Sequence, residues 1–476
     1  MSLGEKKEQH MTTWQPRLSR PWSEADLERL LEQALEVLAQ TGIRAEHPTL
    51  RERLGDWGGV RFQGERILFN PEQVRDIWTM QRATNLDRPP ASDRFTLGGC
   101  WAGLTYCDPE TLEIRPATKD EVIQMVRLWD ARGIHGVVPV QPGDVPPAMV
   151  TLAAERIALI HSRHLGGQLP VMDPEEVRYL IAMNAVAGRT YTLMEEVAIS
   201  PLRFNDKGFA TALAFRDDSD AEVWLTGAIP MAGVTCPLDP RAAVIQATAE
   251  RLALNVVCEL FGFPASLGVR VEPFDFQYDM IVFGSPEWCL YRTLALQMSE
   301  FLSGRPVRGA KFRSTAKHPD AQAACERTAS ALWQALQGGR HFGGVGQLSV
   351  DEVFSPQQAV LDREILAYVA RVARGLEPDD ALDATALIAE GTHEGNFIAT
   401  WDTTSHYREV YDFPELFRHW NLNRWRAEGA PALLDEAWAQ AQEEIAQADY
   451  RLPDDQIAAI DRIYKRATQY MLREQV

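Results

Sequence analysis

The alternation of apolar and polar positions divides the chain into helix-period and strand-period stretches. Between 23 and 40, Leu27, Leu30, Leu31, Leu35 and Leu38 recur at three- and four-residue spacing, with Ser23 before them and Gly42 after. That spacing puts the leucines on one helical face and leaves the Ser23 hydroxyl free to cap the first turn. Residues 60–62 and 67–69 flank Gln63-Gly64 and predict a hairpin. Asn70-Pro71 then opens a short helix, where the missing proline donor costs nothing. A glycine-rich piece, Gly98-Gly99-Cys100-Trp101-Ala102-Gly103-Leu104-Thr105-Tyr106, precedes a strand-like 112–115. Residues 1–117 therefore read as an irregular α+β addition.

From Thr118 the rhythm changes. Thr118-Lys119-Asp120-Glu121 is a capping box opening a helix to Arg132, and strands and helices alternate after it. Strands are expected at 137–140, 165–169, 196–199, 223–229, 266–271, 307–311 and 341–348, with an eighth around 396–400. Asp173-Pro174, Asp239-Pro240, Ser285-Pro286 and Ser355-Pro356 each pair a capping side chain with a first-turn proline. Eight strand–helix units without a dinucleotide-binding glycine fingerprint favour an α/β fold of the (β/α)8 TIM-barrel type over 118–400. Residues 401–476, with a helical 433–448, form a helical extension closing over it. In such barrels ligands sit at the C-terminal ends of the strands. The segments after the strands, 141–144, 200–202, 231–235, 272–276, 308–322 and 343–346, are therefore the suspects.

Composition narrows the function. The chain has 476 residues, 45% of them hydrophobic, and a net charge of -19. An acidic balance without a long basic block argues against nucleic acid or an anionic membrane as partner. Met1 to His10 lacks the apolar centre of a secretory signal, and no run approaches a membrane span, so a cytoplasmic protein is expected. Six cysteines without a Cys-x-x-Cys pair, and ten histidines without ligand spacing to them, predict reduced thiols and no metal site. Against this background Arg308-Gly309-Ala310-Lys311-Phe312-Arg313-Ser314-Thr315-Ala316-Lys317 concentrates positive charge at a strand end, which suits an anionic group. Alternation puts Lys311 and Arg313 on one face and Phe312 on the other.

Several local patterns, in order, resemble the trimethylamine methyltransferase superfamily, specifically its members without pyrrolysine such as glycine betaine methyltransferases. They are Pro230-Met231-Ala232-Gly233-Val234-Thr235, Gly284-Ser285-Pro286-Glu287, Thr315-Ala316-Lys317 with Pro319-Asp320-Ala321-Gln322, Gly343-Gly344-Val345-Gly346-Gln347-Leu348, Asp362-Arg363-Glu364-Ile365, Gly395-Asn396-Phe397 and the run from Thr403 to Arg408. The resemblance implies a TIM barrel that passes a methyl group from a methylated amine to Co(I) of a corrinoid, supplied by a separate cognate corrinoid protein rather than bound tightly here. It places the pyrrolysine position around Phe312 or Arg313, both ordinary residues, and so favours a quaternary amine. It also implies a site histidine near residue 341, which makes His341 the catalytic candidate, in contact with substrate or corrinoid, weighed against a structural histidine.

A quaternary nitrogen has no proton to donate and is held by aromatic faces and negative field. Trp101, Tyr106, Phe274, Phe276, Tyr278, Phe312 and Phe342 are the aromatic candidates, each weighed against core packing, and Glu196, Asp144 and Asp275 could supply the field. A betaine carboxylate would meet Arg313 or Lys311, weighed against an internal salt bridge. Barrel enzymes of other chemistry, a decarboxylase or a metal-assisted hydrolase, and a binding protein without turnover are the competing readings. A homo-oligomer is expected for an enzyme of this size.

Overall fold

The computed structural model describes residues 20–166, 171, 173–375 and 383–473. The Met1 to His10 stretch and the 167–169 part of the strand expected at 165–169 lie outside them. Contacts divide the chain into two compact units, one holding the chain up to Ala91, Thr190–Arg308 and Leu336–Gly338, the other Ser92–Arg189, Gly309–Ala335 and the chain from Gly339 onward.

In the first unit the helix Glu24–Gln40 starts at Ser23, whose hydroxyl accepts from Asp26 N while the Asp26 carboxylate accepts from Ser23 N. Its leucine face is buried, and it packs on the helix Pro240–Phe261. That helix begins as its sequence dictates: Asp239 accepts from Arg241 N and Ala242 N, and Gly262 closes it with φ +73. The predicted hairpin forms as Val60–Gln63 against Arg66–Phe69. It edges a six-stranded mixed sheet whose far side is the parallel pair Tyr191–Ile199 and Ala221–Gly227. A small sheet joins Met231–Ala232, Glu272–Asp275 and Met280–Ile281.

The second unit is built on a parallel sheet in the order Gly309–Lys311, His341–Gly343, Thr96–Gly98. Single parallel bridges, Gly98 to His135 and Gly136 to Leu165, continue it. Register aligns Gly309, His341 and Thr96 at one end, and Lys311, Gly343 and Gly98 at the other. Helices Lys119–Ala131, Val150–His161 and Pro356–Arg374 bury Val122, Met125, Trp129, Ile157 and Val360 in one apolar core. The capping box opens the first of these: Glu121 N donates to Thr118 Oγ1, and Thr118 N to the Glu121 carboxylate at 2.8 Å. No helix among the described residues is long and apolar enough to cross a membrane.

The fold is α/β, with small mixed sheets. A closed eight-stranded ring does not emerge among the described residues, whose strands lie in four separate sheets. The eighth strand expected at 396–400 is a turn between the helices Ala384–Glu394 and Trp401–Val410. Gly395, at φ +72, ends the first helix, and the Asn396 side chain accepts from Ile398 N at 3.0 Å, a local bond that competes with strand pairing. Instead a parallel strand appears at Thr96–Gly98, inside the segment read as irregular. The stretch 341–348 breaks in two because Gly344 and Gly346 take φ +105 and +71. Pairing expected over 266–271 begins only at Glu272, and 137–140 contributes a single bridge, Val140 to Gly103, rather than a strand.

One buried ion pair ties the second unit together. Arg327, on the helix Ala321–Leu336, and Asp362, on Pro356–Arg374, are both fully buried, with Nη1 2.7 Å from Oδ2. Arg327 also donates to the carbonyls of Phe312 and Gln347, and Asp362 accepts from Gly346 N and Gln358 Nε2, each at 2.7 Å. Removing one charge from such a pair strands the other in a medium that cannot solvate it. Arg327→Ala is expected to cost about 3–5 kcal/mol in urea unfolding, whereas replacing both partners by apolar residues of similar volume should recover most of that loss.

Candidate active site

Ligands of parallel α/β sheets bind beyond the carboxyl ends of the strands. In the second unit that edge is marked by Lys311, Gly343 and Gly98, and the residues just past it are Phe312-Arg313, Gly344 and Gly99-Cys100. Two missing side chains make room there. A Cβ at Gly343 would come within 3.3 Å of Cys100 Cβ, and one at Gly344 within 3.0 Å of Arg313 Cγ.

Across that space the side chains converge. Cys100 Sγ lies 2.9 Å from Lys311 Nζ and 3.2 Å from Arg313 Nη2, and Arg313 Nη1 lies 3.3 Å from Asp351 Oδ2. Burial alone would raise the Cys100 thiol, but the charges of Lys311 and Arg313 and their hydrogen bonds outweigh it and bring it down to about 6. Cys107, Cys236, Cys258 and Cys289 go the other way, to between about 11 and about 12, chiefly through burial, which in Cys258 outweighs the charge of Arg251. The Asp351 carboxyl is raised by burial, against the pull of Arg313. Gln334 fixes the strand end: its Oε1 accepts from Lys311 N and its Nε2 donates to Lys311 O, both at 2.8 Å.

The sequence-derived residues separate into three groups. Lys311 and Arg313 meet at Cys100, while Phe312 turns away into a core where its ring lies T-shaped to Phe342 at 6.0 Å and beneath the Arg327 guanidinium at 5.2 Å. Phe342 also stacks on Phe95, and Tyr106 is 2% exposed in the neighbouring core. Trp101, half-buried, accepts through its carbonyl from Gln347 Nε2. His341 stands at the beginning of its strand, Nδ1 2.8 Å from Thr96 Oγ1, at the opposite end of the sheet from Lys311. Glu196, Phe274, Phe276 and Tyr278 belong to the other unit. There Phe274 meets Phe276 edge-on at 5.3 Å, Phe276 and Tyr278 are exposed, and burial together with the Glu196 charge pushes Glu195 up to about 7. Asp144 accepts from Lys119 N at the opening of a helix, and Asp275 accepts from Gln277 N in a turn. Cys100, Asp351 and Gln334 were not singled out from the sequence. Cys100 follows two glycines at a strand end, but its partners lie more than 200 positions away. Among the described residues no group of three His, Cys, Asp or Glu side chains is placed to hold a metal ion.

A family profile described as trimethylamine methyltransferase (MTTB) matches residues 4–469. The chain belongs to the MTTB family. Trimethylamine methyltransferase MttB of Desulfitobacterium hafniense is 26% identical to it over 446 residues, 88% of each chain. MttB of Methanosarcina barkeri strain Fusaro is 27% identical over 246 residues, 49% of this chain and 48% of its own. The crystal structure of the Methanosarcina barkeri monomethylamine methyltransferase MtmB matches with a TM-score of 0.48 and 12% identity, over 90% of this chain and 89% of that one.

The cation pair of this MTTB chain makes a direct prediction. Alkylation of Cys100 by iodoacetamide, followed by peptide mass spectrometry, should rise with pH around a midpoint near 6, and Lys311→Met should move that midpoint upward. Cys258 should stay unreactive throughout, since burial holds it near 12.

Proposed function

We propose that the chain transfers a methyl group from a quaternary amine carrying a carboxylate, glycine betaine or a related betaine, to the Co(I) corrinoid of a separate partner protein. Membership of a methyltransferase family supports the reaction class. The convergence of Lys311 and Arg313 at the carboxyl edge of the parallel sheet is the observation that carries the substrate reading. The resemblance, which puts the pyrrolysine position of some members around Phe312 or Arg313, supports a substrate other than a tertiary amine.

A quaternary ammonium leaves as a neutral tertiary amine, so the reaction needs neither a general acid nor a protein nucleophile. The corrinoid partner supplies the electron pair. The chain's own task is orientation, which can provide much of a rate enhancement by holding the reacting bond in line. Lys311 and the planar guanidinium of Arg313 suit a carboxylate, and Trp101, half-buried just past the same sheet edge, offers an aromatic face for the ammonium. The other aromatic and acidic candidates, Tyr106, Phe274, Phe276, Tyr278, Phe312, Phe342 and Glu196, and His341 are secondary in this reading.

The strand pattern also supports a (β/α)8 barrel. In chain order, Thr96–Gly98, the positions Gly136 and Leu165, Tyr191–Ile199, Ala221–Gly227, Glu272–Asp275, Gly309–Lys311 and His341–Gly343 each pair in parallel with another segment. Within each unit this parallel pairing is what supports the architecture, with Thr96–Gly98 taking the place of 396–400.

Incubation with Co(I) cobalamin and a panel of methylated amines should give methylcobalamin with glycine betaine and none with trimethylamine. No methylcobalamin with any quaternary amine, the cobalt being shown to be Co(I), would overturn the reading, and binding without turnover would mark a carrier. Arg313→Ala should raise KM for glycine betaine by roughly 10–100-fold, the scale of a lost charged hydrogen bond, while altering KM for choline by less than about threefold.

A further inference from the structure

The first unit holds two cations to which the described residues give no counter-ion contact. Just past the carboxyl ends of the parallel strands Tyr191–Ile199 and Ala221–Gly227, a cavity of about 20 Å³ lies between the segments 227–230 and 268–270 and the helix Pro240–Phe261. That is room for one or two water-sized groups. Glu250 and Arg251 line it from the helix, and Arg270 lines it from the approach to the strand Glu272–Asp275. Gly268 keeps it open, since a Cβ added there would meet nothing beyond its chain neighbours nearer than Ser266 Oγ at 3.9 Å.

Partners are unevenly shared in this lining. The Glu250 carboxylate is held by neutral donors: it accepts from Ser200 Oγ at 2.6 Å, Leu202 N at 2.8 Å and Gln246 Nε2 at 3.0 Å. Among the described residues neither Arg251 nor Arg270 has a hydrogen bond or an ion-pair contact. Burial, and after it the charge of Arg270, brings the Arg251 guanidinium down to about 10, against the weaker pull of Cys258 and Glu250. Arg270 acts in the same sense on Arg292, which burial lowers and the Glu272 charge raises. A guanidinium withdrawn from water with its donors unfilled is costly, and an anion that accepts from it removes that cost. The planar fork of arginine matches two oxygens in one plane, the shape of a carboxylate, and two oxygens are what the cavity has room for.

We propose that Arg251 and Arg270 bind the carboxylate of a small organic acid in this cavity, and that the bound acid ties the helix Pro240–Phe261 to the segment 268–270. That segment leads directly into Glu272–Asp275, so occupancy steadies the strand that carries Phe274. The site lies wholly within the first unit and stands whether or not the methyl-transfer reading does. No covalent bond forms, and no proton needs to move, because both guanidiniums stay charged and the acid enters as its anion.

The test is hydrogen exchange of the full chain titrated with acetate, in a buffer whose only other anion is a bulky sulfonate, with peptides covering 268–271 as the local reading. Acetate should slow exchange there in the wild type and equally in Arg313→Ala, in which the Lys311 edge of the other unit is impaired. Arg251→Met and Arg270→Met should each need roughly 10–100-fold more acetate for the same protection, the scale of a lost charged hydrogen bond. Arg270→Lys keeps the charge without the fork; its smaller loss reads the same contact should a Met variant fail to fold. Phosphate and chloride at equal concentration should protect the segment less than acetate. No protection in the wild type, or equal protection in the wild type and all Arg251 and Arg270 variants, would overturn the site. Protection lost in Arg313→Ala would assign the effect to the other unit and overturn it too. Chloride or phosphate acting as strongly as acetate would overturn the carboxylate as its ligand.

Discussion

The buried pair of Arg327 and Asp362 is the constraint on which the rest of the second unit depends. Its cost is desolvation, and the chain offsets that cost with bonds from the pair to three backbone groups and to the Gln358 side chain. The carbonyls of Phe312 and Gln347 and the N–H of Gly346 are thereby fixed to two helices. These backbone groups belong to the turns that follow two adjacent parallel strands. The pair therefore sets where the strands end, and with them where Lys311 and Arg313 can reach. The same guanidinium lies over the Phe312 ring, so the apolar side of the strand is fixed by the residue that fixes its polar side.

Above that base the site is a problem in charge disposal. Two cations at the end of a buried strand need anions, and the chain supplies a carboxylate on one side and a sulfur on the other. A carboxylate at position 100 would be a hard, strongly hydrated anion of fixed charge in the range where the protein works. A thiol can change its charge within that range, because the cations bring it close to neutrality. The choice of sulfur makes the site adjustable without any movement of backbone.

Sequence reading reached different depths in different places. Helix starts were legible because their causes are local: Ser23, Thr118, Asp239, Ser285 and Ser355 each cap the helix that follows within three residues. The alternation of Lys311, Phe312 and Arg313 is likewise a two-residue rule, and the structure puts the cations on one side and the ring on the other. Strands were harder. Thr96–Gly98 is three residues long and runs into two glycines, too short for a periodic signal, whereas 396–400 held apolar residues that a local Asn396 turn claimed first. His341 was recognised as the first residue of a strand, but its distance from Lys311 was not legible, because register within a sheet depends on partners. The meeting of Cys100 with Lys311, and of Arg327 with Asp362, is a property of the fold at long range that no window of sequence contains.

The acidity of Cys100 exists only while residues 100, 311 and 313 are held together. In the unfolded chain the same sulfur reverts to an ordinary thiol, largely protonated at neutral pH. The chain thus carries an internal reporter of its own assembly. The rate at which Cys100 acquires thiolate character during refolding times the docking of the Thr96–Gly98 strand beside its neighbours, separately from the formation of the helices around them.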